Sequence, residues 1–216
     1  MAELMHSAAG RTRLPAVVLV VAVLVVVMSA ACGEGSGKKS TAATRPSQPT
    51  QSVTASRSGV PDTLRITSPS FAAGAAIPAQ FSCDGPGKSP ELDIAGAPSG
   101  TKEFALIVHD PDAPGPTGFT HWVLYNIPGG TTRINAGASP GGALPSGAAE
   151  GNNGSGKPGY TGMCPPKGTA AHHYHFRLYA LDAELQLPAG QTGDQVEAAM
   201  ADHILSQTDL VGIFGR

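Results

Sequence analysis

Beyond residue 62 the sequence predicts a mainly β domain, on three observations. Short apolar runs rich in aromatic and β-branched residues recur at 64–66 (LRI), 104–108 (FALIV), 122–127 (WVLYNI) and 174–181 (YHFRLYAL); runs of this length and composition form strands. Clusters of Gly and Pro punctuate the gaps between them, as turns require. The last run alternates: Tyr174, Phe176 and Leu178 share one face of a strand, and His175, Arg177 and Tyr179 share the other. His172 has the parity of Tyr174, so a strand reaching back that far would present both from one face.

One helix is signalled near the end. Val196, Ala199, Met200, His203 and Ile204 recur at helical spacing, and Asp194 three places before Glu197 fits a capping box. His203, on or near that stripe, is expected to be a packed or surface residue rather than a ligand. Residues 137–162 are rich in Gly, Ser, Pro and Ala without periodicity, which predicts a long loop, functional or disordered. The "GSGKPG" at 154–159 is not a phosphate loop, because Pro158 follows the lysine where Ser or Thr should stand and no helical pattern comes after.

With 216 residues, 41% hydrophobic and 14% charged, the chain suits one ordinary domain with extensions rather than two cores. Residues 1–62 carry six Lys/Arg against three Asp/Glu, whereas residues 63–216 carry eight against thirteen. A mildly acidic domain lacks the clustered basic face that a nucleic-acid backbone demands, which excludes nucleic acid as a partner.

Arg11 and Arg13 precede an apolar run from Leu14 to Met28, and the small residues Ser29, Ala30 and Ala31 lead to Cys32. Positive flank, apolar stretch and small-residue exit mark residues 1–31 as an export signal. Leu14 to Cys32 is also about long enough to cross the ~30 Å hydrocarbon layer, so an uncleaved anchor is the alternative. The Ser-Ala-Ala-Cys ending resembles the lipobox of bacterial lipoproteins, in which the cysteine is lipidated and becomes the mature N-terminus; Ser29 stands where that motif usually has Leu. Lipidation at Cys32 is the expectation, and either alternative puts the domain on the extracytoplasmic face of the cell membrane. Residues 32–62 hold no aromatic side chain and few charges among Gly, Ser, Thr, Ala, Pro and Gln, the composition of a disordered linker. Such a tether has an end-to-end distance of roughly 30 Å.

The domain proper therefore spans residues 63–216, and six of the seven histidines fall after residue 108. The stretch "HDPDAPGPTGFTHW" at 109–122 draws attention first. Asp110 follows an apolar strand, His121 opens the next, and about ten Pro/Gly-rich residues join them, so the two strand ends can be neighbours. A third strand beginning at His172 would add His172 and Tyr174 to make a pocket of Asp, two His and Tyr.

Three chemistries could use that set. A metal site is disfavoured because the adjacent His172 and His173 lack the helical spacing of a zincin and no Cys-x-x-Cys is present, so no metal or other cofactor is expected. A hydrolytic triad lacks both Gly-x-Ser-x-Gly and any serine singled out by its surroundings. Anion recognition accounts for every side-chain type: protonated imidazoles and a phenol donate, while a carboxylate orients an imidazole and favours its charged form. The plain structural alternative is that Asp110 and Asp112 serve the turn through Asx bonds; Asp112 is divided between turn and pocket rim. His109, of opposite parity to Asp110, is a bystander.

"DPDAP", "GFTHWVLYNIP", "GYTGMCPPKG" and "HHYHFRLYALD" in this order, with "FSCDGPGKSPEL" before them and "DHILSQTDLVGIFGR" at the end, resemble the phosphatidylethanolamine-binding protein family in its bacterial Raf-kinase-inhibitor-like branch. The resemblance covers about residues 63–216. It implies a β-sandwich with a large antiparallel sheet, one or two peripheral helices and a small pocket for phosphate-like anions or phospholipid headgroups. By motif it places Asp110, His121, His172 and Tyr174 in that pocket, with Gly162, Pro165 and Pro166 on its rim, and it implies a cis Asp110–Pro111 bond. Two positions depart from the family pattern: His173 stands where Arg is usual, which makes a fixed charge titratable, and Ile94 replaces a common Trp.

With Cys32 lipidated, Cys83 and Cys164 remain, both in motifs that the resemblance places near the pocket. In an exported domain such a pair is expected to be bridged and to brace the rim, the alternative being two buried thiols. The function expected is non-catalytic binding of a phosphate-bearing or other small anionic ligand at the cell envelope, with the lipid anchor tying the protein to the membrane. The alternative is a protein-interaction module that inhibits a hydrolase or kinase-like partner through the loops of the pocket rim. A phosphoester enzyme has least support, because neither a nucleophile nor a metal scaffold is visible.

Overall fold

Strands whose apolar side chains alternate can bury that face only by stacking a second layer on it. The computed structural model describes residues 63–216, so the export signal expected at 1–31, the lipidation expected at Cys32 and the linker expected at 32–62 lie outside the described residues. In chain order the strands are β1 (Arg65–Thr67), β2 (Leu92–Ala95), β3 (Glu103–Asp110), β4 (Phe119–Pro128), β5 (Arg133–Ile134), β6 (Ala149–Glu150), β7 (His172–Leu181) and β8 (Ile204–Phe214), with the helix α1 (Gly193–Met200) before β8. They form a small sheet in the order β1-β2-β5 and a large one in the order β6-β4-β3-β7-β8. All of these pairings are antiparallel.

The main core lies between the sheets. Phe104, Leu106 and Val108 of β3, Trp122 and Leu124 of β4, and Tyr174, Phe176 and Leu178 of β7 bury with Ile66, Leu92, Ile94 and Ile134 of the small sheet. Ile94 thus fills a core position. On the opposite face of the large sheet, Ala105, Ile107, Val123, Tyr125 and Tyr179 are covered by Val196 and Met200 of α1. Burial on both faces explains why β3 is apolar without interruption from Phe104 to Val108.

The C-terminal segment departs from the sequence expectation. Thr192 caps α1, accepting from Gln195 N while the Gln195 side chain accepts from Thr192 N, so the capping box stands two residues before the one expected at Asp194 and Glu197. His203 lies in the turn beyond the helix, its Nδ1 3.0 Å from Asp182 Oδ1, and Ile204 opens β8. The long loop also holds structure. Ala149 and Glu150 form β6 against β4, and Glu150 accepts the Trp122 indole N–H at 2.9 Å.

Candidate functional site: a buried Asp and two imidazoles at the sheet end

A bulge aims His121. Val108 pairs with Trp122 and His109 with Thr120, leaving His121 as the extra residue of β4. Regular alternation would give it the parity of Val123, beneath α1; the bulge turns it to the sandwich side. There its ring meets Phe119 edge-on at 4.8 Å and Tyr174 at 5.2 Å. His121 Nδ1 is 2.8 Å from the Thr161 carbonyl oxygen, an acceptor only, so Nδ1 carries the hydrogen. Nε2 has no hydrogen-bond partner among the described residues and, in the neutral ring, is an acceptor. Burial holds the imidazole below its ordinary pKa, outweighing the Thr161 carbonyl and the Asp110 charge.

Asp110 shares the inward parity of Phe104, Leu106 and Val108, and its carboxylate is divided between two tasks. Oδ2 lies 2.8 Å from His172 Nδ1, while Oδ1 accepts Asp112 N at 2.9 Å as an Asx bond. The His172 and Asp110 side chains are only 8% and 3% exposed, so each depends on the other for its polar partner. The Asp110–Pro111 bond expected to be cis is trans, and the one cis peptide among the described residues is Ser139–Pro140. Strand parity alone turns Asp110 inward. Gly118, at φ 66°, lets the returning chain pass the Asp110 carbonyl, which a Cβ there would strike.

A cavity of about 220 Å³ opens at this end of the sandwich, lined by Asp110, His121 and His172 with Pro114, Phe119, Thr161, Gly162, Pro165 and Pro166. No Lys or Arg is among the described residues lining it. Tyr174 is not a wall residue: it is fully buried behind the histidines, its ring 6.5 Å from that of His172, and its hydroxyl has no hydrogen-bond partner among the described residues. Burial, then the charge and nearness of the Asp110 carboxylate, push that phenol well above its ordinary pKa and keep it protonated. Asp112 sits outside on the rim, where Oδ2 accepts both the backbone N–H of His173 and its ring Nδ1 at 2.8 Å. Those contacts hold the Asp112 carboxyl below its usual range. His109 faces the other side of the sheet, Nδ1 3.3 Å from Thr120 Oγ1, in a separate groove of about 560 Å³ shared with Arg177 and Asp194. Among the described residues no cluster of three or more His, Cys, Asp and Glu could hold a metal ion.

The rim is cross-braced. Cys83 and Cys164 are joined by a disulfide, with Cα atoms 5.4 Å apart and a sequence separation of 81. Cys83 N also donates to the Met163 carbonyl at 3.0 Å, and a Cβ on Gly162 would come within 2.8 Å of the Ser82 carbonyl carbon, so glycine lets the two loops touch. Arg216 adds a second clamp, Nε donating to the Pro165 carbonyl at 2.7 Å and Nη1 pairing with Asp84 at 3.1 Å. Neither Arg216 nor the Thr161 carbonyl was foreseen from sequence. A backbone acceptor leaves no mark in side-chain identity.

The family model described as phosphatidylethanolamine-binding protein matches residues 67–215, nearly all of the described domain. The chain belongs to the phosphatidylethanolamine-binding protein family. Among its relatives, a UPF0098 protein of Methanothermobacter thermautotrophicus is 44% identical over 140 residues, which is 65% of this chain and 91% of the relative. LppC of Mycobacterium tuberculosis, named as a lipoprotein, is 41% identical over 191 residues, covering 88% of this chain and 90% of its own length, so that match extends upstream of residue 63. The crystal structure of Escherichia coli YbcL, described as a new member of the mammalian PEBP family, superposes with a TM-score of 0.68 at 33% identity, covering 71% of this chain and 99% of YbcL. The phosphatidylethanolamine-binding protein fold thus accounts for the two antiparallel sheets.

Proposed function

We propose that this protein is a non-catalytic binding protein of the cell envelope that holds a phosphate-bearing or other small anionic ligand, a phospholipid headgroup included, in the Asp110/His121/His172 cavity. The observation that carries the reading is the Asp110–His172 pair: with Nδ1 tied to the carboxylate, a protonated His172 can donate only from Nε2, on the cavity side. Prolines and Phe119 wall the site, so an anion held there is shielded from water and its hydrogen bonds gain strength. Among the described residues that line the cavity, Cys164 offers no free thiol, because its sulfur is committed to the disulfide. The upstream match to a protein named as a lipoprotein supports a lipid anchor at Cys32 on the extracytoplasmic face.

Titration calorimetry of the full-length chain in detergent with inorganic phosphate tests this reading. Binding by the natural chain and its loss in His172→Ala are expected. Failure of the natural chain to bind phosphate overturns it.

A further inference from the structure

We infer that His121 serves the cavity as a hydrogen-bond acceptor and so selects oxyanions that bring a proton of their own, favouring inorganic phosphate and phosphate monoesters over sulfate and phosphate diesters. The inference deepens the anion-binding proposal and rests on it.

Geometry fixes the tautomer. A carbonyl oxygen cannot donate, so the 2.8 Å contact with Thr161 places the ring hydrogen on Nδ1 and leaves a lone pair on Nε2. Only a second proton could turn Nε2 into a donor. The surroundings oppose that charge: the ring is 4% exposed, edge-on to Phe119, in a wall shared with Pro114 and Pro165. The titratable groups facing it are Asp110 of β3 and His172 and Tyr174 of β7, and His109 acts on it from the other side of the sheet. Asp110 favours a charged His121, but its Oδ2 is committed to His172 and its Oδ1 to the Asp112 amide. Positive charge on His172 or His109 disfavours it, and burial is the largest influence of all.

The two imidazoles therefore play different parts. His172, held against a carboxylate, donates when protonated; His121, held against a carbonyl, accepts. An ionised oxygen placed against the Nε2 lone pair would leave a buried acceptor unmet, which costs on the order of ten-fold in affinity or more. Inorganic phosphate keeps an O–H in both of the forms it takes near neutral pH, and a monoester, with a second pKa near 6, can keep one for His121 at a modest cost that grows with pH. Sulfate and phosphate diesters have no such proton. They can satisfy Nε2 only by protonating the buried ring, so their binding takes up a proton and strengthens as pH falls.

Calorimetry on the full-length chain tests this at pH 7.5 and pH 5.5, in two buffers of different ionisation enthalpy to count protons. Inorganic phosphate is compared with sulfate, and phenyl phosphate with methyl phenyl phosphate. At pH 7.5 inorganic phosphate is expected to bind at least about ten-fold tighter than sulfate, and phenyl phosphate to exceed its diester by a smaller margin, because its lower second pKa makes the retained proton more costly. At pH 5.5 the gap is expected to narrow, with proton uptake on sulfate binding. Equal affinities at pH 7.5, or a gap unchanged at pH 5.5, overturn the acceptor role while leaving anion binding intact. No binding by any of the four compounds overturns both.

Discussion

His172 Nδ1 and Asp110 Oδ2 stand 2.8 Å apart inside the protein although 62 residues separate them in sequence, and each is the other's side-chain partner. Asp110→Ala leaves a buried imidazole with no acceptor and also removes the Asx bond to Asp112 N. Breaking a buried pair from one side typically costs about 3–5 kcal/mol. Urea unfolding of Asp110→Ala at pH 7 is expected to show a loss in that range. A loss below about 0.5 kcal/mol, the ordinary size of a surface substitution, contradicts a structural role for the pair.

His121 and His109 both have pKa values lowered in the folded state, first by burial. Their unfolded values lie near 6.5. A lowered folded pKa means that the unfolded chain binds protons first as pH falls, so the stability tied to the neutral rings is complete above about 6.5 and is lost below it. Unfolding free energies measured from pH 7.5 to pH 5 should therefore decline with pH. His121→Gln should decline less steeply. Parallel slopes in the two proteins would show that His121 does not titrate with a lowered pKa.

Much of this was legible in the sequence, for reasons that differ by element. β7 was clear because its inward positions are Tyr174, Phe176 and Leu178 and its neighbours are polar. β8 escaped because its inward positions include Ser206, Thr208 and Gly212, which weaken the apolar alternation, while Ile204 falls in step with the preceding helix. Asp110, His121 and His172 could be grouped by strand parity and by the short Pro/Gly bend. The direction of His121 could not be derived that way, since a β-bulge reverses parity without a signal in residue type. The same limit applies to Tyr174: alternation placed it on the His172 face but not behind the cavity wall.

The Cys83–Cys164 bridge closes a long loop and ties two rim segments together. Replacing both cysteines by serine should lower stability by about 2–5 kcal/mol, as loss of a native disulfide does in small exported domains. Pro165 and Pro166 follow Cys164 directly and line the cavity, so phosphate affinity should fall as well. Thermal unfolding and calorimetry on the double variant check the two effects separately. The Arg216 clamp on Pro165 and Asp84 is retained in that variant, so the fold is expected to survive.

Gly162→Ala addresses the rim from another side. The added methyl would lie 2.8 Å from the Ser82 carbonyl carbon and 3.1 Å from Cys83 N, both backbone atoms that cannot swing away. Overpacking of this kind costs about 1–3 kcal/mol. Gly130, where an added Cβ would meet nothing within 4 Å and φ is not positive, supplies the control. Gly130→Ala should leave the melting temperature unchanged or slightly raised, through the lower entropy of its unfolded chain.

Tyr174→Phe separates stability from binding. The Tyr174 hydroxyl is buried without a hydrogen-bond partner among the described residues, so deleting it removes an unmet polar group. The ring, with its contacts to His121 and His172, is retained. Unfolding free energy is therefore expected to stay level or rise by up to about 1–2 kcal/mol, the scale of an unsatisfied buried donor. Because the hydroxyl lies behind the cavity wall and not in it, phosphate affinity is expected to be retained over the same substitution. Calorimetry on the variant checks this: a fall of about ten-fold, the scale of one lost hydrogen bond, would show that the phenol reaches the bound anion.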